Sequence, residues 1–479
     1  MLPKLFIIRL LLVFVLATKL ASAQSLPPAV ELALKRAHIP LSSVGAYVQD
    51  ADGGRPRVAH NAARAMNPAS TMKLLTTYAA LELLGPTYTW KTDAYAGGKL
   101  EGGVLEGNLI LKGYGDPKLT LENFWLLLRR LRALGLREIR GDLVLDRSYF
   151  EAAEYDPAKF DAEPLRAYNV GPDALLLNFN AVRFQFVPDA DRGIVTVIAE
   201  PKPAGLEFTA AVRATDGACG DWRAGIEADF QTSGGSAKAS FAGSMPAACG
   251  ERYCNASLLA QPDYVYGVFR QLWEELGGTL SGGWEDGAVP ADARLLATGE
   301  SASNAELARD INKFSNNVMA RQLFLTIGAE VLKLPGRSDR SAQVVQAWLA
   351  EKRLDFPELV LENGSGLSRR ERISAQHMGR LLLEAWRSAV MPELMSSLPL
   401  VAYDGTMRRR LRFESIAGQA HIKTGSLSDA RTLAGYVLDQ RGQRHVVVLF
   451  INHANAAAAQ PAQDALLQWV YERGERRPN

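Results

Sequence analysis

A long apolar segment opens at Asn67-Pro-Ala-Ser-Thr-Met-Lys73 and runs to Leu84-Gly-Pro86, and its two ends dictate what it must be. Pro68 and Ala69 suit the entry of a helix, and Gly85 followed by Pro86 is the stop signal found just beyond a helix C-terminus. Ser70 therefore falls in the first turn. Residues three apart share a helix face, so the Lys73 amine rises beside the Ser70 hydroxyl. A serine becomes a nucleophile only when a neighbouring base takes its proton, and a lysine can do so only if it is neutral near physiological pH. Burial and a second cation both push a lysine that way. A Ser-x-x-Lys match arises about once or twice by chance in a chain of this composition, as a helix-start serine and a solvated lysine. The rest of the chain has to supply the burial and the charge.

At 479 residues the chain exceeds one average domain, and two or three are expected. Residues 1–23 read as a secretory signal, with Lys4 and Arg9, an apolar core over 10–18, and Ala21-Ser-Ala23 as a cleavage site cut near Ala23. An uncleaved anchor is the alternative. No other run approaches membrane length, so no stable span is expected in the mature chain. Removing the segment deletes Lys4, Arg9 and Lys19 and takes the formal charge from +2 to −1, a balance that argues against a nucleic-acid partner.

Cys219, Cys249 and Cys254 are the only cysteines. In an oxidising compartment one disulfide is expected, with one thiol left over. Cys219 with Cys249 or with Cys254 would staple a loop, and Cys249 with Cys254 would close a tight turn. With no Cys-x-x-Cys pair and no histidine nearby, no metal site and no cofactor is expected. Oligomeric state is not legible.

In chain order, residues 29–37 have the pattern of a short amphipathic helix, and 43–50 with 57–61 that of a hairpin around Asp52-Gly-Gly-Arg-Pro. From about Trp90 the texture turns to glycine-rich alternation, interrupted by one helical pattern over 121–134. This β-rich stretch, to about Pro290, reads as an insertion, and 222–250 is its least patterned part. Helical periodicity returns over 304–326, 341–353 and 374–387; strand patterns follow over 419–424, 431–438 and 445–452, then a helix over 462–473.

Ser315-Asn-Asn317 interrupts the 304–326 helical pattern. Three polar residues in a row are odd for packing alone, and a helix cap explains them equally well. Lys423-Thr-Gly425 ends the first strand of the terminal sheet: glycine lets a bound backbone approach, and lysine and threonine offer a charge and a hydroxyl to a carboxylate.

Ser70-Thr-Met-Lys73, Ser315-Asn-Asn317 and Lys423-Thr-Gly425, in that order, match the three signatures of penicillin-binding proteins and serine β-lactamases. About 240 residues separate the first motif from the second, which implies an inserted module. In this layout the chain resembles the class C low-molecular-mass penicillin-binding proteins, the D-alanyl-D-alanine carboxypeptidase/endopeptidases. Further stretches that look like that family are Lys112-Gly-Tyr-Gly-Asp-Pro, Gly141-Asp-Leu-Val-Leu-Asp-Arg-Ser-Tyr-Phe150, Glu362-Asn-Gly-Ser-Gly-Leu-Ser368 and Tyr403-Asp-Gly-Thr-Met. Asn316 stands where the family often has aspartate and Arg321 where it often has glutamate; neither is a matched catalytic position.

The resemblance implies an α/β (α+β) fold, in which a β-lactamase-like antiparallel sheet with helices is interrupted by the β-rich insertion. Residues 24–90 and 291–479 would form the catalytic part, and 91–290 two nested subdomains, 91–170 with 256–290 and 171–255. It implies a periplasmic enzyme that acts on peptidoglycan stem peptides, is acylated by β-lactams and needs no metal. Ser70 would be the nucleophile and Lys73 its base. Ser315 would relay a proton to the leaving amine, Asn317 would bind the substrate backbone, and Lys423 would lower the Lys73 pKa and attract the substrate carboxylate. Thr424 and Ser426 would bind that carboxylate beside Gly425, and the N–H groups of Ser70 and Ser426 would form an oxyanion hole. Asp146 resembles a carboxylate that meets the side-chain amine of the stem peptide; a surface aspartate at a strand end is the alternative. His421 and His453 have no task once Lys73 is the base. Two other readings share the motifs: a β-lactamase of the same fold, and a non-catalytic wall-binding protein.

Overall fold

The alternation over 43–50 and 445–452 yields two strands, Val44–Asp50 and Arg444–Asn452, paired antiparallel with Val44 opposite Ile451. In the computed structural model, which describes residues 25–472, they lie at the heart of a five-stranded antiparallel sheet. Its order is Ala420–Leu427, Ala430–Leu438, Arg444–Asn452, Val44–Asp50, Val58–His60. The signal at 1–23 lies outside the described residues.

Both central strands near the C-terminus are buried along almost their whole length, so both faces of the sheet must be covered. Helices Pro28–Arg36 and Gln460–Glu472 cover one face through Val30, Leu34, Leu466 and Leu467. Lys73–Leu83, Asn304–Phe314, Asn317–Leu332, Ser338–Glu351 and Ala375–Arg387 cover the other, around Leu75, Tyr78, Phe324 and Met378. The Ala420–Leu427 strand has one neighbour and leaves its outer edge open beside Ser70.

The inserted residues build two further sheets over one separate core. A seven-stranded sheet is made by Thr89–Glu101, Val104–Gly113, Glu138–Ile139, Leu143–Asp146, Thr279–Leu280, Trp284–Asp286 and Arg294–Ser303. The six strands between Val182 and Ala256 form the other. The boundary expected at 290/291 is therefore displaced: Arg294–Ser303 pairs with Thr89–Glu101 and belongs to the inserted sheet. The turn-rich stretch before it reads as a border, although the chain turns back into the sheet it has just left.

Two other readings are corrected, and the least patterned stretch gains a structure. The 304–326 periodicity is two helices, Asn304–Phe314 and Asn317–Leu332, separated at Ser315, whose φ of 57° is left-handed. A helix over Gln261–Glu275 lies inside the stretch read as β-rich; Pro262 stands in its first turn, and Tyr264, Val268, Phe269 and Leu272 form its buried stripe. Residues 222–250 contain the hairpin of Ile226–Ser233 and Ser236–Pro246, turned by Gly234 and Gly235 at positive φ. Of the possible disulfides, Cys219–Cys249 forms and Cys254 is free.

Candidate active site

Ser70 lies in a single 3-10 turn, Ala69–Met72, that leads into the Lys73–Leu83 helix. The turn is held from several sides. Asn67 Oδ1 accepts the Ala69 N–H at 2.8 Å, the Asn67 amide donates to Ser368 O at 2.8 Å, and the Thr432 hydroxyl donates to Pro68 O at 2.7 Å. Gly425 crosses directly above: a Cβ there would sit 2.8 Å from the Ser70 nitrogen and 2.2 Å from Thr432 Oγ1. Only glycine leaves the Ser70 N–H open to a ligand oxygen.

Lys73 is fully buried, with its Nζ 3.0 Å from Ser70 Oγ, 2.6 Å from Asn317 Oδ1 and 2.5 Å from Ser365 O. The last two partners are pure acceptors and take two N–H bonds. A neutral amine then has its lone pair left for the Ser70 hydroxyl proton. Burial lowers the Lys73 pKa well below its ordinary value, with further lowering from Lys423 and Arg321; Glu371 opposes.

The bend at 315–317 carries the second motif. Asn316 caps the following helix by accepting the Met319 N–H at 3.0 Å, so the capping explanation is correct for that residue. Its neighbours face two lysines: Asn317 meets Lys73, and Ser315 Oγ accepts from Lys423 Nζ at 2.9 Å. Lys423 also donates to Thr424 O at 2.6 Å, and burial pushes its pKa down to about 7. The Thr424 hydroxyl donates to Thr406 Oγ1 at 2.8 Å, and Ser426 is exposed at the open strand edge. One hydroxyl, an adjacent amine whose pKa burial and charge lower, a second hydroxyl–amine pair and an open N–H make up the parts an acyl transfer needs.

The model of the D-Ala-D-Ala carboxypeptidase 3 (S13) family matches residues 27–473. The chain is a peptidase of that family. It is 30% identical over 444 residues to the D-alanyl-D-alanine carboxypeptidase of Actinomadura sp., covering 88% of this chain and 80% of that protein. To D-alanyl-D-alanine carboxypeptidase DacB of Haemophilus influenzae it is 27% identical over 413 residues, 86% of this chain and 85% of the other. The solved structure of penicillin binding protein 4 (dacB) from Haemophilus influenzae has the same fold, with a TM-score of 0.76 at 24% identity over 92% of this chain and 99% of that one.

In this carboxypeptidase-family chain Asp146 does not fit the task expected of it. Its side chain is buried, Oδ2 takes Lys112 Nζ at 3.0 Å and the Val289 N–H at 3.0 Å, and Oδ1 takes the Ser148 hydroxyl at 2.6 Å. A carboxylate so occupied has no room for a substrate amine. His421 is half-buried with a lowered pKa, and His453 accepts the Asn455 N–H; neither has a hydrogen bond to a motif residue.

Sequence reasoning missed the supports of Lys73. Glu371 is fully buried and accepts the N–H groups of Asn363, Gly364 and Gly366 at 2.8–2.9 Å, which fixes the loop that places Ser365 O on Lys73. Gly366 lies against the turn before Ser70, where a Cβ would fall 1.8 Å from Ala69 O. Arg321, a turn beyond Asn317, is buried and donates to Val170 O at 2.9 Å. It adds to the field on Lys73 although its position matches no motif.

Proposed function

We propose that the protein is a periplasmic serine D-Ala-D-Ala carboxypeptidase/endopeptidase of peptidoglycan stem peptides, working through an acyl-enzyme on Ser70 and acylated by penicillin. The observation that carries this reading is the Lys73 amine, buried, 3.0 Å from Ser70 Oγ and with both its other partners acceptors. Lys73 takes the Ser70 proton as Oγ attacks the carbonyl of the penultimate D-alanine. The oxyanion develops against the N–H groups of Ser70 and Ser426; losing one such donor costs about 3–4 kcal/mol of transition-state stabilisation. As the C–N bond breaks, the leaving amine receives its proton through Ser315, whose oxygen is held by Lys423. Asn317 fixes the peptide backbone, and Thr424 with Lys423 binds the carboxylate of the departing residue. Water then hydrolyses the Ser70 ester and restores the hydroxyl.

A relative's solved structure is described as complexed with a novel β-lactam, which supports the expectation that penicillin is trapped at the same serine. Labelled penicillin tests it. The wild type takes up one persistent label and Ser70→Ala takes none; rapid release of hydrolysed drug would instead favour a β-lactamase, and no label would remove the acyl-enzyme.

A further inference from the structure

Thr406-Met-Arg-Arg-Arg-Leu-Arg-Phe413 holds four arginines and no carboxylate in eight residues. Two of its side chains anchor it: Met407 is fully buried, and Arg410 binds Asp464 through Nε at 3.0 Å and Gln463 at 3.2 Å. Leu411 is partly buried against the same core as Met407. Arg408, Arg409 and Arg412 are exposed, with no side-chain ion pair or hydrogen bond among the described residues, and Phe413 is 98% exposed. Glu414, the next residue, is the nearest acid in sequence.

The segment is rooted between two catalytic motifs. Asp404 holds Lys313 at 2.6 Å, two residues before Ser315, and Thr406 is hydrogen-bonded to Thr424. In the reading proposed above, Thr424 marks the carboxylate of the departing residue, and Thr406, hydrogen-bonded to Thr424, opens the arginine segment two residues before Arg408. A single D-alanine ends there. In a cross-linked substrate the departing amine belongs to a second stem peptide, which continues and carries further carboxylates. Clustered unpaired cations repel one another and attract such a chain.

We infer that Arg408, Arg409 and Arg412, with Phe413 beside them, form a subsite for the carboxylate-bearing second peptide of a cross-linked substrate, so that cross-links are cut in preference to single stems being trimmed. The inference rests on the reading under Proposed function. The bond broken is the amide between the D-alanine carbonyl and the second peptide's side-chain amine. The bond formed is the Ser70 ester, and the serine proton leaves on the amine.

The test uses the mature protein and the triple variant Arg408→Gln/Arg409→Gln/Arg412→Gln on two substrates, a cross-linked muropeptide dimer and a pentapeptide monomer. Dimer kcat/KM is expected to fall about tenfold and to lose its salt dependence, while monomer cleavage and penicillin labelling change less than about twofold. An equal fall on both substrates, no change on either, or loss of binding to anionic phospholipid vesicles with dimer cleavage intact would overturn it. A wild type that takes no label and cleaves neither substrate overturns the underlying reading; a labelled wild type whose dimer cleavage ignores the triple variant overturns this inference alone.

Discussion

Gly425 shows how much at the residue scale depends on an absent side chain. A methyl group there meets the Ser70 nitrogen at 2.8 Å, so Gly425→Ala is expected to slow penicillin acylation at least about a hundredfold, as loss of an oxyanion donor does. Stopped-flow labelling checks it. Arg321 acts by charge: removing it lets the Lys73 pKa rise, so the acid limb of the acylation–pH profile in Arg321→Met should move up by about half a pH unit. Lys423 costs stability. Folded, it gives up its proton at about 7; unfolded, near 10.4, so the unfolded chain holds more protons between those values and stability rises with pH across that window. Lys423→Met is therefore predicted to melt about 2 °C above the wild type at pH 6, with the gap closing toward pH 10, while losing acylation. Ser70 and Lys73 were legible because helical spacing alone brings them together. Arg321 was not, because its influence crosses space rather than following a motif.

Loops and bends carry what the element scale adds. The residues 362–371 loop turns around one buried carboxylate, and Glu371→Ala would strand four backbone N–H groups, those of Glu362, Asn363, Gly364 and Gly366, without a partner. A loss of about 3 kcal/mol in denaturant unfolding is expected, together with slower acylation as Ser365 O leaves Lys73. The family likeness of Glu362-Asn-Gly-Ser-Gly-Leu-Ser368 was visible in the sequence, but not its partner, since nothing local says that a glutamate turns inward. At 315–317 the sequence offered capping and chemistry as rivals. The fold uses both, with Asn316 on the helix and its two neighbours on the lysines. The Gln261–Glu275 helix escaped notice because Gly267 and the surrounding turn residues diluted its apolar stripe.

For the molecule as a whole, the inserted residues have a core of their own, apart from the one behind Ser70. Cys219–Cys249 closes a loop with a sequence separation of 30 inside that insertion, so Cys219→Ser/Cys249→Ser should cost about 3–4 kcal/mol there and leave penicillin labelling at 25 °C intact. Calorimetry alongside labelling checks both halves. The sequence disclosed that an insertion exists through the distance between motifs. It hid where the insertion ends, because Arg294–Ser303 returns to a strand some two hundred residues earlier, and long-range pairing leaves no local trace.

The same long-range pairing governs when the enzyme can come into being. On one side the Val44–Asp50 strand pairs with nearby Val58–His60, but its other side waits for Arg444–Asn452, and the strand that overhangs Ser70 arrives just before that one. A chain made in order of synthesis thus holds Ser70 and Lys73 long before Lys423 is added. Until the last strands are delivered it is chemically inert, and a chain stopped at residue 410 should ignore penicillin altogether.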